Sequence, residues 1–166
     1  MTILYEKNQV CLRTARPEDA ALFAKVLRPA DKAELMAVWP GISLKELIRQ
    51  FIQLSSSAVI LFYRGDMVAV GGIYPLTWLS TRACVWLLTG KELSKIPVTF
   101  FKLAKRLLGV WLRRYPLLTN RVDNRYHSAC RFITQLGGVW TGHTTRYSNI
   151  QFLEFIFRRN YGRNCK

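Results

Sequence analysis

Acid is what this sequence has little of. Its 166 residues hold 25 lysines and arginines against 10 aspartates and glutamates, a formal charge of +15 at pH 7. The shortage is uneven. Residues 1–54 carry eight basic and six acidic side chains, whereas residues 55–166 carry seventeen basic ones and only Asp66, Glu92, Asp123 and Glu154. An excess of that size attracts polyanions: nucleic acid, a phosphorylated cofactor or an acidic protein. No helix-turn-helix signature, zinc finger or aromatic RNA-binding motif accompanies it. A solvated basic face is the plain alternative.

Histidine is scarce too. With only His127 and His143 present, no zinc constellation exists and no metal is expected. The four cysteines, Cys11, Cys84, Cys130 and Cys165, form no CxxC. Three sit in apolar runs, where a cysteine behaves as a small structural side chain, so Cys84 and Cys130 are expected to be buried, free thiols. No apolar run reaches the roughly 18 residues of a membrane span. Glu6 and Lys7 fall where a signal peptide needs an unbroken apolar region. The expected location is therefore a cytoplasm or a virion, and the protein is not expected to be secreted. No Ser/His/Asp arrangement, P-loop, dinucleotide fingerprint, repeat or linker is present. The length suits one domain over residues 1–166.

The informative stretch runs from Cys84 to Trp140. Cys84–Thr89 is an apolar run closed by Gly90, which suits a strand buried on both faces. Pro97 fits an early helix position. From there Phe100, Ala104, Leu107, Leu108, Trp111 and Tyr115 share one stripe, while Lys102, Lys105, Arg106 and Arg113 share another face. Pro116 stops the helix. Leu117–Val122 predicts a second strand, parallel to the first across the crossover helix. Asp123 or Asn124 is placed to cap a further helix with the apolar face Ala129, Phe132, Ile133 and Leu136, ended by Gly137.

Before this stretch, Gln9–Ala15 predicts a strand. Ala20–Leu27 and Asp31–Trp39 predict helices, and Ser43 with Glu46 forms a capping box for Leu44–Leu54. Ala58–Tyr63 and Met67–Tyr74 predict a hairpin around Arg64-Gly65-Asp66. The Gly71-Gly72 pair marks a bulge or a close backbone approach. Trp39 and Trp78, flanked by turn residues, are placed to line a groove. Val139–Tyr147 and Ile150–Arg158 predict a terminal hairpin, and the basic tail from Arg158 to Lys166 is expected to be loose. The fold class is α+β: a mixed, mostly antiparallel sheet of about six or seven strands, splayed in the middle and flanked by about four or five helices.

Trp86-Leu87-Leu88 with Gly90, Ile96-Pro97, Phe100-Phe101, Tyr115-Pro116-Leu117, Val122-Asp123, Arg131-Phe132 and Leu136-Gly137 together resemble the second half of a GNAT-type N-acyltransferase domain. The pattern is similar in particular to a phage and prophage branch, the internal virion protein A family of podoviruses. Arg13, Ala15 and Asp19 match the R-x-A-x-x-x-D pattern often found near the start of such domains.

The resemblance implies a GNAT-like fold, acetyl-CoA as cofactor, and cofactor binding by Leu88, Thr89, Gly90, Lys91, Ser94 and Lys95. The superfamily usually writes its pyrophosphate loop Q/R-x-x-G-x-G/A; here Thr89 to Pro97 contains Gly90 alone. Where many members place a general-acid tyrosine, this chain has Ile133, and Tyr126 at the helix start is the catalytic candidate. Glu34, Glu46 and Glu92 are the base candidates by topology. Two readings follow. One is a phage or prophage protein with degenerate acyl-CoA motifs, serving virion assembly, genome delivery or host interaction. The other is an active acetyl-CoA-dependent N-acyltransferase acting on a protein or small-molecule amine.

Overall fold

The structure is a computed structural model that describes residues 2–77 and 79–159. Its strands join one sheet in the order β1-β2-β3-β4-β5-β6-β8-β7. They are β1 (Ile3–Lys7), β2 (Val10–Thr14), β3 (Ser57–Tyr63), β4 (Asp66–Pro75), β5 (Arg82–Thr89), β6 (Leu117–Asp123), β7 (Val139–Tyr147) and β8 (Ile150–Arg158). The helices are α1 (Asp19–Val26), α2 (Pro29–Val38), α3 (Leu44–Leu54), α4 (Pro97–Arg114) and α5 (His127–Gln135), with a 3-10 turn at Lys91–Lys95.

The sheet has one strand more than expected, β1. It was hidden because it lies at the sheet edge, mostly exposed, without the alternation that marks a half-buried strand. Its turn also lacks glycine. Asn8 and Gln9 adopt φ of 51° and 64°, the left-handed pair that a tight hairpin turn requires. Arg64-Gly65 and Ser148-Asn149 do the same at the two hairpins that were expected.

Alternation along the strands builds a core on each side of the sheet. On one side Phe23, Leu47, Ile48 and Ile52 from α1 and α3 cover Ile60, Val70, Trp86 and Leu88. On the other, Phe100, Leu103, Leu108 and Trp111 of α4 and Ile133 of α5 cover Val59, Leu61, Leu118, Phe155 and Phe157. Ser55, Ser56 and Ser57, which lead from α3 into β3, satisfy the polar ends of buried aromatics. Trp86 Nε1 donates to Ser55 Oγ at 2.9 Å, Trp111 Nε1 to Ser57 Oγ at 3.1 Å, and the Tyr115 hydroxyl to Ser56 Oγ at 3.4 Å.

Gly71 and Gly72 mark a close approach and no bulge: the β4–β5 register runs unbroken through them. A Cβ on Gly72 would lie 2.5 Å from the Ser57 carbonyl oxygen, and one on Gly71 2.8 Å from that of Trp86.

The expected side-chain cap of α5 is absent. The Asp123 carboxylate does not cap α5, because Arg125 takes it, through its backbone N–H at 2.9 Å and its guanidinium at 2.6 Å. No side chain caps α4, because the 3-10 turn holding Ser94 precedes it. Cys84 is buried as expected, but Cys130 is only half-buried, being on the open flank of α5. With Cys11, both are free thiols. Cys165, Trp78 and most of the basic tail lie outside the described residues. Trp39 is 36% exposed and packs edge-on against Phe51. Among the described residues no helix is long and apolar enough to cross a membrane.

Candidate functional site

The β5–β6 pair is parallel and short. It runs only from Arg82↔Leu117 to Cys84↔Thr119, although β5 continues to Thr89 and β6 to Asp123. Beyond Cys84 the strands diverge. Because backbone groups alternate along a strand, Val85, Leu87 and Thr89 turn their amides toward the gap. Two of these positions have side-chain partners. The Val85 carbonyl accepts from Asn120 Nδ2 across the gap at 2.7 Å. The Thr89 N–H donates to Asp31 Oδ1 at 3.1 Å. Leu87 lies between them, and its side chain is 40% exposed in a strand otherwise largely buried. The gap opens into a cavity of about 730 Å³ whose walls include Val85, Leu87, Phe100, Phe132 and Tyr126.

A polar network ties the wide end together. Leu27 bridges to Gly90, and the Arg28 N–H donates to the Thr89 carbonyl at 3.0 Å, so the α1–α2 corner is hydrogen-bonded to the end of β5. One turn on, Asp31 is 6% exposed. Its carboxylate also accepts from Thr89 Oγ1 at 2.9 Å, from Arg28 Nε at 3.2 Å and from the Tyr126 hydroxyl at 3.1 Å. Arg28 Nη2 donates to that hydroxyl, and the guanidinium lies 5.4 Å from the Tyr126 ring centre. Asp31 thus links the end of β5 to Tyr126, the residue that precedes α5.

Glu34, one further turn along α2, also lines the cavity. Burial pushes its carboxyl up to about 7. The charges of Asp31 and Asp123 add to that push, and the Asp123 backbone amide opposes it. Burial and the Asp31 charge hold the Tyr126 phenol up at about 12. A phenol that firmly protonated is a hydrogen-bond donor at neutral pH.

The sequence candidates are distributed as follows. Thr89 and Tyr126 meet through Asp31. Leu88 is buried on the α1–α3 side, facing away from α4. The Gly90 N–H donates to the Val68 carbonyl at 2.8 Å. Lys91, Ser94 and Lys95 are exposed on the 3-10 turn, with Lys95 paired to Glu92. Glu46 serves α3, accepting from Arg49 and Gln50. Arg28 and Asp31 were not singled out for the site. Their signal is tertiary, since Asp31 and Thr89 are 58 positions apart.

No family model and no curated protein matches the sequence. Solved structures match the fold. One is ribosomal-protein-S5-alanine acetyltransferase from Vibrio fischeri, at 9% identity and TM-score 0.70 over 97% of this chain and 98% of that one. This is the GNAT acetyltransferase fold. A GNAT-family acetyltransferase from Streptococcus pneumoniae matches at 15% identity and TM-score 0.67, over 90% and 98% of the two chains. Spermidine N-acetyltransferase from Vibrio cholerae, solved with CoA and spermine, matches at 14% identity and TM-score 0.65, over 92% and 96%. At these identities the likeness establishes the GNAT fold and no activity.

Proposed function

We propose that this chain is an acyl-CoA-dependent N-acyltransferase for a primary amine on a protein or small molecule. The observation that carries the reading is the gap itself. Parallel pairing stops at Cys84, the Leu87 amide faces the opening between two occupied neighbours, and an apolar cavity with a near-neutral carboxyl lies beside it. A neighbour with the same fold was solved with CoA. The Leu87 amide fits an extended amide arm such as that of CoA. Lys91, Ser94 and Lys95 at the head of α4 would face its phosphates. The acyl group would pass from the thioester sulfur to the amine nitrogen, the new C–N bond replacing the C–S bond, and CoA would leave as a thiolate that takes up the second nitrogen proton. Glu34, held near 7, accepts the ammonium proton. Tyr126 and Arg28 hold Asp31 against Thr89, at the end of β5.

The test is a thermal shift with acetyl-CoA and with CoA separately. A ligand at 100 times its dissociation constant adds roughly 2.7 kcal/mol of stability. Both should raise the melting temperature, and acetyl-CoA should acetylate members of an amine panel. No shift with either sinks the reading.

A second reading rests on the loop. With the Gly90 N–H directed to Val68 and no further glycine before Pro97, the backbone offers little to a pyrophosphate. On this reading the chain is a phage or prophage accessory protein in a host cytoplasm or virion, with a polyanion or acidic protein as partner. Absence of any acyl-CoA shift favours it.

A further inference from the structure

Helix α4 presents two faces, and the sheet accounts for one. Phe100, Leu103, Leu108 and Trp111 are buried against it. Lys102, Lys105, Arg106 and Arg113 are exposed on the other face. At 100° per residue they fall within an arc of about 100°. The helix contains no acid, and among the described residues none of the four cations forms an ion pair.

Gly109 lies inside the same arc. A glycine in a helix interior is destabilising relative to alanine, and close packing against a neighbour is the usual reason for one. Here there is none: a Cβ on Gly109 would meet nothing within 4 Å. The residue leaves a bare patch of helix backbone ringed by Lys102, Lys105, Arg106 and Arg113.

We propose that this face binds the sugar-phosphate backbone of nucleic acid without reading sequence. Lys102 and Arg113 are eleven positions apart, about 17 Å along the axis at 1.5 Å per residue. Four cations over that length leave a mean gap of about 5.5 Å, less than twice the 3.4 Å between phosphate charges along a single strand of a duplex. Nucleic acid presents such a row of charges along its whole length, and the bare patch at Gly109 admits close approach of the backbone. A membrane surface is the poorer match, because the exposed apolar residues flanking the cations are only Val98 and Val110. The inference is independent of the acyltransferase reading.

The experiment is a salt titration of fluorescence anisotropy with a random-sequence DNA duplex and a single-stranded RNA. The native protein should bind at low salt. Log affinity should fall against log salt with a slope of about −3 to −4, as four phosphates release counterions.

The variant K102E/K105E/R106E should lose at least tenfold in affinity with an unchanged melting temperature. Reversing three exposed lysines elsewhere, K25E/K32E/K45E, makes the same change in net charge and should cost less than threefold. Gly109→Leu should melt no lower than the native protein yet bind at least threefold more weakly. Four outcomes each overturn the proposal: no binding at low salt, equal losses in the two triple variants, full displacement by a stoichiometric amount of CoA, or displacement by polyglutamate as effective as by nucleic acid.

Discussion

The Asp31 carboxylate accepts both the backbone N–H and the hydroxyl of Thr89, at 3.1 and 2.9 Å. A side chain at the start of α2 therefore holds the last residue of β5, on the strand edge that faces the gap. Removing the carboxylate leaves a buried N–H, the Tyr126 hydroxyl and the Arg28 guanidinium short of an acceptor. Asp31→Ala should lower stability by about 2 kcal/mol, between the loss of a buried hydrogen bond and that of a buried ion pair. Chemical denaturation of Asp31→Ala, Thr89→Val and the double variant should give a coupling energy above about 0.5 kcal/mol. Simple additivity would show that the contact contributes nothing.

Glu34 predicts a pH dependence with a definite sign. Its carboxyl is raised from 4.5 to about 7 in the folded chain, so the folded state holds the proton more tightly. The stability tied to the neutral form is complete below about pH 4.5 and is lost as pH rises through 7. Glu34→Gln removes that loss. The variant should match the native protein near pH 4 and exceed it by up to about 3 kcal/mol at pH 8. On the acyltransferase reading, the rate with acetyl-CoA should by contrast fall by roughly 10²- to 10⁴-fold and lose its rise through pH 7. Melting curves and rates across pH 4–9 check both. A variant that keeps the native pH–rate profile removes Glu34 from the chemistry.

The sheet was largely legible because local signals agree with it. Gly65 marks a hairpin, Pro97 and Pro116 bracket α4, and the α4 stripe separates Trp111 from Arg113. β1 was not, because an exposed edge strand closed by Asn8-Gln9 has neither alternation nor glycine. At the site, Thr89, Tyr126 and Glu34 were reachable because resemblance and topology put them at the splay. Arg28 and Asp31 were not. A carboxylate in the first turn of a helix reads as an ordinary favourable dipole contact, and nothing local tells that it crosses to a strand 58 residues on. The amide that closes onto Val85 from Asn120 is equally silent, since any polar residue near a strand middle reads as a solvated position.

Gly72 gives a prediction about packing alone. Its missing Cβ would sit 2.5 Å from the Ser57 carbonyl oxygen and 3.1 Å from Ala58 Cα, both backbone atoms of the paired β3. Backbone in the middle of a sheet has no rotamer by which to yield. Gly72→Ala should therefore cost about 3 kcal/mol, whereas Gly109→Ala, open on the α4 surface, should gain up to about 1 kcal/mol through helix propensity. Urea titrations of the pair check this. Equal behaviour of the two alanines contradicts the close approach at the β3–β4 pair.

The Arg13–Asp19 pair predicts the opposite pH sense from Glu34. The guanidinium grips both carboxylate oxygens, at 2.8 and 2.7 Å, and the Arg16 N–H donates to one of them at 2.8 Å. Burial pushes the Asp19 carboxyl up, but the Arg13 bonds and the Arg16 amide together outweigh it and hold the group below the usual carboxylate range. Arg13 is fixed further by the Phe62 ring, 4.8 Å from its Cζ. The pair joins β2 to the first turn of α1, which explains physically why Arg13 and Asp19 occur at that spacing. A depressed carboxyl contributes stability that is present above its unfolded value near 3.9 and is lost as pH falls through the lower folded one. Asp19→Asn leaves the buried guanidinium without its counter-charge, so it should cost about 3 kcal/mol at pH 7. The difference from the native protein should narrow steadily below about pH 4, as protonation removes the same charge from the native chain. Denaturation midpoints at pH 7, 4 and 2.5 measure it, and a cost that stays constant with pH would show that packing, and not the ion pair, joins β2 to α1.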